Sequence, residues 1–176
     1  EIETGVTPNQ GLVFIKDKKD LIAIYNKGLY ETAVSDTSDK IIALTLFRSF
    51  PNEVGKYTSD MGKMQRKIET EYAIDFCSAQ IQESEILKNC LAFKTNILSF
   101  TTQKKHSGEL GKNSSLFKLT GNAVISAIKS NIKTRCGKQL NIIRLYDVDG
   151  GSSGSIEFLK PLKKAYLLDL KNDIIK

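Results

Sequence analysis

The sequence predicts an all-β fold, an antiparallel β-sandwich carrying one short α-helix near residues 82–94. Three observations lead there. Short runs alternating apolar and polar residues fill most of the chain, separated by polar turns such as "KDKKD", "NKG" and "DTSD". One stretch switches from period 2 to helical spacing. No regular alternation of strand and helix offers the crossovers that a parallel sheet requires.

The elements follow in order. Residues 11–16, 21–26, 30–34, 40–49 and 68–77 read as strands, with Gly28 free to take positive φ in the turn before the third. In "IETEYAIDF" the alternation puts Ile68, Thr70, Tyr72, Ile74 and Phe76 inward. In "QESEILKNCLAF", Ile86, Leu87, Cys90, Leu91 and Phe93 recur at helical spacing, and the acidic residues come early, where a helix dipole favours them. Strands return in "SLFKLTG", "AVISAIKS", "LNIIRLYDV", "SGSIEFLK" and "KAYLLDL", for about ten short strands in all.

At 176 residues the chain suits a single domain, 1–176, with a sub-boundary in the polar loop 99–113. A chain of this size buries roughly 68–70% of its unfolded surface, so a core is available without staples. Hydrophobic content is 40% with 26% charged residues, and no apolar run approaches the roughly 20 residues of a membrane span. Cys77, Cys90 and Cys136 are odd in number and match no metal-ligand spacing, so they read as reduced core thiols and favour the cytoplasm. The sequon at Asn113 reads as a chance occurrence. The net charge of +6 is scattered over the surface, and the aromatics fall at inward strand positions instead of interleaving a basic groove, which argues against nucleic acid as a partner. The chain begins at Glu1 with neither an initiator methionine nor a signal-peptide layout, as expected of a piece of something longer.

No motif supplies catalysis. "GGSSG" at 150–154 fits the pattern of a nucleophile elbow, but it lies between two strand-like runs and reads as a hairpin loop. His106, the single histidine, precedes that serine, whereas a hydrolase of that kind needs its histidine after it, and one histidine cannot build a multi-histidine metal site. Glu69, Glu71 and Asp75 alternate along one strand and read as a solvated edge face in preference to a glycosidase pair. Catalytic and metal-ligating residues are therefore expected to be absent from this chain.

One residue stands out. "KIIALTLFRSF", residues 40–50, is the most apolar stretch, with Ile42, Leu44 and Leu46 on one face, Ile41, Ala43, Thr45 and Phe47 on the other, and Arg48 following the first. Its stem should lie along apolar surface while its head reaches the strand end at Ser49, Phe50 and Pro51 and pairs with a carboxylate or with chain carbonyls. Arg48 is thus the structural or interface candidate, with a locally satisfied role expected ahead of an interface role. Removing it would cost about 3–5 kcal/mol if a buried charge were left unpaired.

The segment from "TPNQGLVFIKDKKD" through "NKGLYE" to "IIALTLFRS" resembles, in order and spacing, part of the glycoside hydrolase family 38 α-mannosidases, where a strand pair ends in a "GL-x-E" turn and leads to an "ALTLLRS"-like strand. Gly28, Leu29, Glu31, Ala43, Leu44, Thr45, Leu46, Arg48 and Ser49 carry the match. "GKMQRKIETEYAI", "LAFKTNILSF", "FKLTGNAVISAIKS", "LNIIRLYDVDGGSSGSIEFL" and "KKAYLLDLKND" are similar to later motifs of that family, in the same order. Asp147 stands where the family often has asparagine, and "IDFCS" lacks a histidine that often ends its strand. The resemblance implies the C-terminal β-sandwich region of a bacterial-type, retaining α-mannosidase. It further implies that the aspartate nucleophile and a zinc-type divalent metal site belong to an N-terminal barrel outside this sequence, against which this domain packs. An independent β-sandwich binding module, with no enzyme attached, is the other expectation.

Overall fold

The structure is a computed structural model that describes residues 6–35, 41–49, 66–104, 107–108, 111–134, 137–148, 150–151 and 153–175. Its elements run β1 (Val6–Pro8), β2 (Leu12–Lys16), β3 (Asp20–Lys27), β4 (Glu31–Val34), β5 (Ile42–Leu44), β6 (Glu71–Ser78), α1 (Glu83–Lys94), β7 (Phe117–Gly121), β8 (Ala123–Lys133), β9 (Gln139–Asp147) and β10 (Gly154–Phe158). The fold is all-β and antiparallel with one short helix, and that helix spans almost the residues its spacing predicts. None of the described helices is long and apolar enough to cross a membrane. Two compact units emerge: Glu1–Ile81 with Ile86–Ile97, and Gln82–Glu85 with Leu98–Lys176.

In the first unit β3 is the organising strand. It pairs with β2 from Leu21 to Tyr25 and with β6 along its whole length, from Asp20 opposite Ser78 to Lys27 opposite Glu71. The β2–β3 turn is made by Asp17, whose carboxylate accepts the backbone N–H groups of Lys19 and Asp20, each at 2.7 Å. One face of this sheet presents Leu21, Ala23 and Tyr25 to Ile86 and Cys90 of α1, with Leu12, Phe14, Ala73, Cys77, Ile81 and Phe93 packed around them. This cluster is sheet against helix. Ile86 and Leu21 are essentially unexposed, and each such side chain contributes about 1.5–3 kcal/mol by leaving water. Glu83 and Glu85 in the first turn and Lys94 in the last complement the helix dipole.

The face of β6 is the reverse of the one its alternation predicts. Ala73, Asp75 and Cys77 turn towards the helix side, while Tyr72, Ile74 and Phe76 stand exposed, Phe76 at 74%. Register decides this: Ala73, Asp75 and Cys77 lie opposite Tyr25, Ala23 and Leu21, which already face α1, and cross-strand partners share a face. Asp75 is therefore not on a solvated face.

The second sheet of this unit has the order β1-β4-β5. β1 is too short to register as a strand in the sequence, and its Pro8 is tolerated because β1 lies at the sheet edge. β5 covers three residues of the predicted 40–49. Its partner β4 begins at Glu31, so after Thr45 donates its N–H to the Glu31 carbonyl at 3.1 Å, the chain continues past the turn that precedes β4 and, among the described residues, has no strand to pair with. β5 is also an edge strand of this sheet.

A buried polar joint links the β1–β2 loop to the β3–β4 turn and to α1. Asn26, wholly buried, donates from Nδ2 to Asn9 Oδ1 at 3.0 Å and accepts the Leu29 N–H at 3.0 Å. Asn9 Oδ1 also accepts the Gly11 N–H at 2.8 Å, the Gly11 carbonyl accepts from Asn26 N and from Cys90 Sγ, and Lys94 Nζ donates to the Gln10 carbonyl at 2.6 Å. Gly11 takes φ +97°, and a Cβ there would stand 2.9 Å from the Asn26 carbonyl.

In the second unit β8 and β9 form a long ribbon with irregularities between Ile125 and Ala127 and between Lys129 and Ile132. β7 and β10 pair separately, with the Phe117 and Phe158 rings 5.7 Å apart. The predicted strand "KAYLLDL" reduces to one bridge between Leu168 and Ile174. Asp169 causes this, because its carboxylate accepts the Lys171 and Asp173 N–H groups at 2.8 Å and turns the chain back on itself.

Candidate functional site

The site begins with the turn "NKGLYE". Gly28 adopts φ +79°, and Leu29 is buried with its N–H held by Asn26. That anchorage sets where β4 starts, and so places Glu31 opposite Thr45 on the continuation of β5. Three residues further on, Arg48 donates from Nη2 to Glu31 Oε1 in an ion pair within this domain. Of the two kinds of partner expected for the guanidinium, carboxylate or chain carbonyl, it takes a carboxylate.

Burial differs from the expectation. The Arg48 side chain is 60% exposed, while that of Glu31 is 23% exposed. The alternation of the strand holds for Ile42 and Leu44, which are partly buried, and fails at Leu46, which is exposed once the ladder has ended. Tyr30, next to Glu31, and Phe47, next to Arg48, are exposed too. The result is a charged pair in which each partner has an exposed aromatic residue as a sequence neighbour.

The other candidates resolve into structural roles. Glu71 pairs with Lys27 at 2.7 Å, Glu69 pairs with Lys67, and Asp75 accepts the Tyr25 hydroxyl at 2.8 Å. Each carboxylate thus has its own partner, and the three do not converge on a shared site. Lys27 Nζ also sits 4.8 Å from the centre of the Phe93 ring, a cation–π contact. Burial, reinforced by the bond to Asp75, raises the Tyr25 phenol well above the ordinary tyrosine range. This Tyr25–Asp75 contact was invisible in the sequence, since it depends on register between strands fifty residues apart.

"GGSSG" connects β9 to β10, which belong to two different sheets, so it is an inter-sheet connection and not a hairpin loop. Strand follows it, not the helix of a nucleophile elbow. His106 and Cys136 lie outside the described residues, as do Phe50 and Pro51. Cys90 is buried, which raises its thiol pKa, with Lys94 acting in the opposite direction. Among the described residues no three His, Cys, Asp or Glu side chains gather into a group that could hold a metal ion. Compared with known proteins, the chain matches no family model, no curated protein and no solved structure.

Proposed function

We propose that this chain is a non-catalytic β domain that packs against another domain, and that the other domain is the catalytic barrel of an α-mannosidase similar to glycoside hydrolase family 38. One observation carries the reading. The Arg48–Glu31 ion pair joins the two segments on which the resemblance rests, the "GL-x-E" turn and the "ALTLFRS" strand, and leaves Arg48 mostly exposed beside Phe47. An ion pair of this kind would serve both to set the turn and to present an arginine to a partner.

In this reading the domain supplies shape. It walls the cleft in which terminal α-mannosides are hydrolysed, in a cytoplasmic enzyme of sugar catabolism. The nucleophile and the zinc-type divalent ion belong to the barrel, and neither nucleic acid nor a membrane is a partner. The test compares the isolated chain with the complete natural protein on an aryl α-mannoside, with and without a chelator. The complete protein should be active and chelator-sensitive, and the isolated chain inactive. A complete protein without mannosidase activity would overturn the enzyme reading and leave a stand-alone β interaction module.

A further inference from the structure

We draw no further inference here: the strongest candidate, the apolar face of the β2-β3-β6 sheet turned away from α1, where Val13, Ile24 and Ile74 form one cross-strand row and Ile15, Ile22 and Phe76 another, carries none because nothing in the structure shows what covers it.

Discussion

Arg48 pairs with Glu31 across seventeen residues of sequence, and the two partners differ in exposure: the carboxylate is mostly covered and the guanidinium is mostly in water. An ion pair built this way fastens the chain after β5 to the start of β4 while keeping part of the arginine accessible.

Substitution of Arg48 should therefore act weakly on the isolated chain. An ion pair with one exposed partner contributes about 0–1 kcal/mol, well below the loss expected of a buried, orphaned charge. Urea melts of the isolated chain carrying Arg48→Ala or Arg48→Lys should shift little. Under the proposed function, the same changes in the complete natural protein should lower mannosidase activity or uncouple the unfolding of this domain from that of its partner domain. Equal, negligible effects in both proteins would reject the interface role.

Tyr25→Phe should destabilise the first unit by about 1–3 kcal/mol, because Asp75 then loses a hydrogen-bond donor in a partly buried site. The variant also has a pH signature. Folding raises the phenol pKa from its ordinary 10.0, so below that pH both states hold the proton and the contribution of Tyr25 is fully present. Above it the unfolded chain releases the proton while the folded chain retains it, so stability falls as pH rises. Denaturation midpoints measured from pH 8 upward should show a difference between wild type and Tyr25→Phe that shrinks above about pH 10. A constant difference would mean that Tyr25 is not protected in the folded state.

Cys90 should resist alkylation in the native state. It lies in the core cluster and burial disfavours its thiolate, which is the species that reacts. Mass spectrometry of peptides after pulses of iodoacetamide should find Cys90 modified only in denaturant, in step with loss of the β signal. Rapid native-state modification of Cys90 would contradict the packing of α1 on the sheet.

Ser84→Ala should be neutral or mildly stabilising. The Ser84 hydroxyl is buried without a hydrogen-bond partner among the described residues, so its removal relieves a desolvation cost that nothing offsets, and alanine is the better helix former by about 0.5 kcal/mol. Thermal melts by circular dichroism decide the sign; a clear loss of stability would show that the hydroxyl has a partner.

Gly121→Ala should weaken the β7–β10 pair. Gly121 takes φ +92°, and a Cβ there would stand 2.4 Å from the Ser153 carbonyl oxygen, so backbone must move as well as adopt a strained conformation. Gly28→Ala is the control, since φ is again positive but the space is open. Strain alone costs about 1 kcal/mol or somewhat more, so Gly121→Ala should lose measurably more stability than Gly28→Ala in parallel chemical denaturation.

Local chemistry alone made the element types legible. Helical spacing in "EILKNCLAF" and acidic residues ahead of it sufficed to place α1, because both act within one or two turns. The polar turns placed the ends of β2, β3 and β4 for the same reason, with Asp17 closing its own turn through its side chain. Arg48 was recognisable as a residue in need of a carboxylate, since no strand position satisfies a guanidinium by itself.

Tertiary pairing decided the rest. Period 2 identifies two faces of β6 but does not say which is inward, and the more apolar face lost because its register against β3 turned Ala73, Asp75 and Cys77 towards α1. The length of β5 was set by where β4 begins, and the fate of "KAYLLDL" by a turn at Asp169. Alternation is a property of the chain, whereas the choice of face, the length of a ladder and the partner of a charge depend on which distant strand supplies the other half of each hydrogen bond.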